Sequence, residues 1–137
     1  MTAAAPPRVA RCQCGALEAR CEGEPWRVSL CHCFACKART GSAFSLNATF
    51  ADEQVVLIGA ARKYERYGED GGNWVRQCFC GACGTTLYYR IEQRPGAISV
   101  AIGCFGTADF PPPGYEVYAE CAMAGLNLRI EPEPEQQ

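Results

Sequence analysis

Cysteine constrains this chain more than any other residue, because it occupies 11 of the 137 positions. Seven of the eleven fall into three tight clusters: Cys12-Gln13-Cys14, Cys31-His32-Cys33-Phe34-Ala35-Cys36 and Cys80-Gly81-Ala82-Cys83. A disulfide framework favours an even count and a secreted chain. Here the count is odd, and residues 1–11 lack the apolar stretch of a signal peptide. The pattern therefore predicts metal binding through thiolates in a cytoplasmic protein, with disulfides as the alternative.

The first and last clusters together offer four thiolates. Residues i and i+2 of a strand point to the same side, so Cys12 and Cys14 can share one metal ion. Cys80 and Cys83 have zinc-knuckle spacing, in which backbone N–H groups point at the sulfur atoms. We predict that these four cysteines complete a closed tetrahedral zinc site with a structural role.

The middle cluster has only three thiolates. Zinc with three protein ligands keeps one coordination position open, as catalytic sites do. We therefore predict a reactive zinc whose catalytic and metal-binding residues are Cys31, Cys33 and Cys36. Lys37 and Arg39 follow in the sequence and would offset the negative charge of the three thiolates. If Cys78 or His32 supplied a fourth ligand instead, both metals would be structural.

The remaining cysteines and basic residues leave alternatives open. We expect Cys21 to be a small core residue, and Cys104 to be reactive only if it borders the open site. The only histidine, His32, is expected to point away from the cysteines beside it. The basic run Arg62, Lys63 and Arg66 is most simply solvent-exposed. An anionic substrate would otherwise be held by residues such as Lys37, Arg39 and Arg62.

Hydrophobic periodicity predicts a β-rich chain. Apolar and polar residues alternate with period two in several segments, which is typical of half-buried strands. The predicted strands are Ala16 to Cys21, Trp26 to Leu30, Phe44 to Phe50, Val55 to Ile58, Arg62 to Tyr67, Trp74 to Phe79, Thr85 to Arg90, Ala97 to Ile102 and Tyr115 to Glu120. Residues 33–40 can form one or two helical turns, residues 68–73 a hairpin turn, and residues 105–114 a loop. We expect an all-β domain of short antiparallel strands with aromatic residues, including Trp26 and Tyr64, mostly in the core.

Length and charge limit the remaining possibilities. The chain is the size of one domain, and we expect that domain to cover residues 8–130. Residues 1–7 are predicted to be a flexible leader, and residues 131–137 an acidic disordered tail. The formal net charge of -2 gives no reason to expect binding to nucleic acid or to an anionic membrane.

The cysteine motifs resemble those of the glutathione-dependent formaldehyde-activating enzyme (GFA) family, which includes centromere protein V. The resemblance covers about residues 8 to 120 and rests on Cys12-x-Cys14-Gly15-Ala16, Cys31-His32-Cys33-x-x-Cys36, Gly41 and Phe79-Cys80-x-x-Cys83-Gly84. It implies a β-rich, Mss4-like fold with two zinc ions, a structural one on the four-cysteine set and a looser one on the three-cysteine set. The final strand departs from the family, since Tyr115 and Glu116 stand where members often carry a histidine.

The resemblance also implies an activity. Family enzymes are carbon–sulfur lyases that reversibly add the thiol of glutathione to formaldehyde, giving S-hydroxymethylglutathione, so the expected partners are a small thiol and an aldehyde. A zinc-stabilised binding module without chemistry is the alternative function. A third interpretation, an iron–sulfur or rubredoxin-type iron protein, fits four thiolates and would give a coloured protein.

Overall fold

The computed structural model describes residues 5–68, 72–126 and 128. These residues form ten strands and one α-helix. The strands are β1 (Arg8–Arg11), β2 (Glu18–Cys21), β3 (Arg27–Cys31), β4 (Ser45–Ala51), β5 (Val55–Ile58), β6 (Arg62–Tyr67), β7 (Trp74–Phe79), β8 (Thr86–Ile91), β9 (Ala97–Ala101) and β10 (Tyr115–Val117), and the helix is α1 (Phe34–Thr40). The predicted tail at 131–137, part of the predicted leader and part of the 68–73 turn lie outside the described residues.

The strands build two sheets, which confirms the β-rich prediction. A three-stranded sheet has the order β1-β2-β5, and a seven-stranded sheet has the order β10-β3-β4-β9-β8-β7-β6. The antiparallel prediction is wrong for one pair, because β10 runs parallel to β3. Strand β1 was not predicted, because its two apolar residues, Val9 and Ala10, are adjacent and show no period-two alternation.

The hydrophobic core lies between the small sheet and one face of the large sheet. Ala19 and Cys21 of β2 belong to the same buried cluster as Phe50 of β4, Leu87 of β8 and Val100 of β9. Cys21 has no exposed surface, which confirms its predicted place in the core. Two aromatic predictions are wrong, because Trp26 is 52% exposed and Tyr64 57% exposed.

The opposite face of the large sheet is polar but largely buried. Register places Ser29 of β3 beside Asn47 of β4, and Thr49 of β4 beside Ser99 of β9. All four side chains are buried, and the Thr49 and Ser99 hydroxyls lie 3.0 Å apart within hydrogen-bonding distance. This polar face forms the floor of a cavity described below.

Among the described residues, no helix is both long enough and apolar enough to span a bilayer.

Candidate metal centres and the adjoining cavity

The first cysteine cluster forms where two hairpins meet. Cys12 and Cys14 lie in the turn between β1 and β2, and Cys80 and Cys83 lie between β7 and β8. Their four sulfur atoms all lie within 4.8 Å of one another. The Cys12 and Cys14 sulfurs are 3.7 Å apart, and the Cys14 and Cys80 sulfurs 3.6 Å apart. Four thiolates around a tetrahedral zinc at ~2.3 Å would be about 3.8 Å apart, so this geometry fits the ion.

Hydrogen-bond donors surround these sulfur atoms. The backbone N–H of Leu17 donates to Cys12 Sγ at 3.1 Å, and that of Ala82 donates to Cys80 Sγ at 3.4 Å. The Thr85 hydroxyl lies 3.3 Å from Cys83 Sγ. Thr85, through its hydroxyl and then its backbone N–H, is the main cause that lowers the pKa of Cys83 to about 5. At Cys83 the surroundings thus favour the thiolate, the form that binds a metal.

The cluster links the two sheets. Cys14 belongs to the small sheet's hairpin, and Cys80, 66 positions later, belongs to the large sheet's hairpin. The backbone N–H of Gln13 also donates to the Thr85 hydroxyl at 3.1 Å, which ties the same two turns together. This placement fits a structural role.

The middle cluster forms at the junction of β3 and α1. Cys31 ends β3, Cys33 is the N-cap of α1, and Cys36 lies in the first turn of the helix. The backbone N–H of Cys36 donates to Cys33 Sγ at 3.3 Å, and Gly41 at φ 69° ends the helix. The three sulfur atoms lie within 4.8 Å of one another. A short capped helix therefore folds the CxCxxC segment into a claw that can hold one metal ion.

The described residues give this claw no fourth ligand from either predicted alternative. Cys78 is buried in the core, where its thiol interacts with Tyr88. His32 is buried, and its Nε2 lies 2.8 Å from the Glu116 carboxylate on β10. Neither residue belongs to the group of sulfur atoms that converge, so three thiols remain.

The surroundings of Cys36 favour its thiolate. Hydrogen bonds from the thiols of Cys31 and Cys33 lower its pKa, and the Ser45 hydroxyl and the charge of Arg39 act in the same direction. The Arg39 guanidinium lies 4.9 Å from the centre of the Tyr89 ring. Arg39 thus stands where the sequence analysis expected a charge to offset the thiolates.

The three thiols open into a cavity of about 220 Å³. Its floor is the polar face of the large sheet, with Ser29 of β3 and Tyr89 of β8. Val117 and Tyr118, at the end of β10, form part of the wall. Tyr118 adopts φ 55°, a left-handed conformation that is rare for a bulky residue and is often found at functional sites.

Three predicted candidates lie elsewhere. Lys37 Nζ donates to the backbone carbonyl of Cys121 instead of entering the cavity. Arg62 packs beside Gly81, within the four-cysteine turn. Cys104 interacts with Cys12 and Cys83 of the four-cysteine cluster. It was expected to be reactive only if it bordered the three-cysteine site, and that condition is not met.

Sequence reasoning missed Glu116 as the partner of His32, and missed two arginines of the cavity, Arg27 and Arg94. A signal for Arg27 existed, because it alternates with Val28 on the same side of the strand as Ser29 and Cys31. Arg66, from the run predicted to be most simply solvent-exposed, lines the cavity.

Comparison with known proteins agrees with the fold and the motifs. The family model described as glutathione-dependent formaldehyde-activating enzyme matches residues 7–121. A crystal structure of a Rhodobacter sphaeroides protein is similar, with 21% sequence identity, coverage of 76% of this chain and 91% of that one, and a TM-score of 0.56. At that identity the likeness shows the fold alone. No curated protein matches the chain significantly.

Proposed function

The chain belongs to the glutathione-dependent formaldehyde-activating enzyme family, and from that membership we propose that it is a zinc-dependent carbon–sulfur lyase. Its substrate would be the adduct of a thiol and an aldehyde, of which S-hydroxymethylglutathione is the family example. We place this activity in the cytoplasm, where cysteines stay reduced.

One observation carries the proposal: three converging thiols, with no fourth protein ligand among the described residues, open into a cavity. A closed four-thiolate site has no position for substrate, whereas a three-ligand zinc site does. The first cluster therefore suits a structural ion held by Cys12, Cys14, Cys80 and Cys83. The second suits a reactive ion held by Cys31, Cys33 and Cys36.

A zinc ion held there would supply Lewis acidity and lower the pKa of a thiol that occupies its fourth position. The protein's own residues set the conditions around it. Arg39 offsets the charge of the thiolates, and α1 fixes two of the three sulfurs at its N-terminus.

The proposed reaction needs no oxidant or reductant. In the direction of addition, the thiol S–H bond breaks, the sulfur forms a bond to the carbonyl carbon, and the proton ends on the former carbonyl oxygen. In the reverse direction the C–S bond breaks, the electron pair leaves with sulfur and the hydroxyl proton is released. The enzyme would accelerate an exchange that also proceeds slowly in water.

Exchange NMR on the zinc-loaded protein tests this proposal. Formaldehyde is mixed with a thiol such as glutathione, and exchange between free thiol and hydroxymethyl adduct is measured with wild type and with Cys33→Ser. Serine is a good N-cap, so this variant keeps the start of α1 while it removes one thiolate. We expect acceleration by wild type and a loss of at least about 100-fold in Cys33→Ser, in the range of losses seen when catalytic groups are removed.

Cys121→Ser is the matched control, since Cys121 lies outside both clusters and its hydrogen bonds with the described residues, to Lys37 and Tyr118, use only its backbone atoms. It should keep wild-type exchange. If wild type accelerates exchange with no thiol in the panel, the lyase proposal fails, and the binding-module alternative takes its place. A colourless protein as purified, before zinc is added, would also exclude the iron interpretation.

A further inference from the structure

The cavity beside the three-cysteine site is lined by arginines. Arg27 of β3, Arg66 of β6 and Arg94 after β8 all line it, and none of the lining residues that the structure describes is acidic. Within the described part of the chain, none of these three arginines forms an ion pair. The arginine-lined part of the cavity attracts anions, because low-dielectric walls strengthen the field of clustered positive charges.

Arg27 and Arg94 also act on each other. Burial, and after it the charge of Arg94, hold the pKa of Arg27 below its usual value. Arg27 Nε is buried and has no hydrogen-bond partner among the described residues. Leaving a buried donor of a charged group unpaired is costly. An anion between the two guanidinium groups would satisfy that donor and relieve their repulsion.

Each of these two guanidinium groups also lies over an aromatic ring. The Arg27 guanidinium lies 4.3 Å from the centre of the Tyr115 ring, and the Arg94 guanidinium lies 5.9 Å from that of Trp26. Such stacking holds a guanidinium while its N–H groups stay available at the edge.

The arginines stand at a defined separation from the thiols. Cys31, Ser29 and Arg27 alternate along one face of β3, and all three line the cavity. Four residues of strand span roughly 13 Å between the α-carbons of Cys31 and Arg27. A ligand with sulfur at the claw would therefore meet the guanidinium groups with atoms several bonds away from its thiol.

We propose that Arg27 and Arg94 form a carboxylate-binding subsite, so that the substrate of this protein is a thiol carrying a carboxylate several bonds from its sulfur. The proposal rests on the proposed function for the thiol, and on the cavity's charges alone for the carboxylate. Arg66, held by Gln77 through its Nε at 3.2 Å, adds positive charge to the same cavity. These residues determine specificity and take no part in the bond that forms or breaks.

The test compares ligands that differ only in charge. 6-Mercaptohexanoate and 6-mercaptohexanamide serve as exchange substrates with formaldehyde, and hexanoate and hexanamide serve as thiol-free probes whose binding is followed by NMR chemical shifts. We expect the carboxylate forms to be favoured by about 10-fold or more, in KM and in Kd, as a charge-assisted hydrogen bond implies. In Arg27→Gln and in Arg94→Gln this preference should fall to about 2-fold or less.

Arg76→Gln is the matched control, because Arg76 also lies on a strand of the large sheet and stacks over an aromatic ring, that of Trp74 at 4.4 Å. It is absent from the cavity lining and should keep the full preference. Equal binding of hexanoate and hexanamide to wild type, or equal losses in the Arg27, Arg94 and Arg76 variants, would overturn the subsite.

The two proposals fail in distinguishable ways. Selective hexanoate binding without any accelerated exchange would contradict the lyase and support the subsite. Accelerated exchange with no preference for the carboxylate thiol would support the lyase and contradict the subsite.

Discussion

At the scale of single residues, the most informative contact beside the reactive claw is that between His32 and Glu116. His32 lies between Cys31 and Cys33 in the sequence, and its Nε2 lies 2.8 Å from the Glu116 carboxylate. Its backbone N–H donates to the Val117 carbonyl at 3.0 Å. The claw's backbone is thus held by β10 through a main-chain bond and a side-chain bond. A histidine that looked like a candidate ligand instead anchors the segment that carries the ligands.

Replacing Glu116 by alanine should loosen the second metal site. His32 Nδ1 already has no partner among the described residues, so the change leaves a buried imidazole with no side-chain hydrogen bond, at a cost of about 1–3 kcal/mol. Loss of such an orienting contact lowers metal affinity by about 10–100-fold. Competition with a chromogenic chelator would measure the affinity of each zinc site.

Two further variants separate this positioning role from a general loss of stability. Glu116→Gln keeps an oxygen that can accept from His32, so it should retain most of the affinity. Glu120→Ala removes an exposed carboxylate of the neighbouring segment and should bind zinc as wild type does. Equal affinity of Glu116→Ala and wild type for both ions would show that the contact does not position the claw.

At the scale of elements, two paired strands of the small sheet meet in a close backbone approach where the chain leaves β5 and enters β2. Gly59 follows β5 at φ 96°, and a Cβ there would lie 2.2 Å from the carbonyl oxygen of Ala16 and 3.0 Å from Leu17 Cδ2. Only glycine fits, because both the conformation and the space exclude a side chain.

Gly59→Ala should therefore destabilise the protein by about 2–4 kcal/mol, since backbone strain and a steric clash add. Urea denaturation of the zinc-loaded protein would measure the free energy of unfolding. Gly103→Ala is the control, because a Cβ at Gly103 meets no atom within 4 Å. A Gly59→Ala protein as stable as the Gly103→Ala protein would contradict the close approach.

The elements also show how far the sequence could predict the fold. The sequence pattern located nine strands, through alternation in some segments and through the turns that flank others, among them β5, β6 and β7 with the observed bounds. It could not give the direction of β10, because alternation is the same in parallel and antiparallel pairs. Alternation also separates the two faces of a strand without saying what covers the polar one. The sequence therefore assigns Ser29 and Arg27 to the polar face of β3. Only the tertiary structure shows that this face lines a cavity.

The candidate site, too, could be predicted from the sequence only in part. Ligand spacing in the sequence indicated both cysteine sets, and the structure brings the sulfur atoms of each set together. Their roles as zinc ligands and catalytic residues remain predictions. Only contacts between distant segments, which no local pattern encodes, show that Cys78 is not a ligand of the three-cysteine site. The same kind of contact shows that Arg94 lines the cavity.

At the scale of the whole molecule, the four-cysteine cluster brings together hairpins of the two sheets, which also share one core. We expect Cys80→Ser to lose the first zinc and, with it, cooperative unfolding near the wild-type temperature, because a structural zinc site contributes folding free energy directly. Cys33→Ser should lose one zinc and keep most of the thermal stability. Calorimetry with metal analysis would compare them, and equal destabilisation of the two variants would contradict the division of roles.

Removal of metal from the whole protein tests that division without any mutation. Burial alone predicts that the first cluster empties first, because Cys14 is exposed whereas Cys33 and Cys36 are buried. Ligand number predicts the opposite, since four thiolates hold zinc against a chelator better than three with an exchangeable position. We expect ligand number to decide, so that graded chelation removes one zinc and abolishes thiol–formaldehyde exchange while the circular dichroism spectrum stays folded. The second zinc should leave only with the loss of that spectrum. Unfolding that accompanies the first zinc to leave would show that the open site is the structural one, and would reverse the assignment of the two clusters.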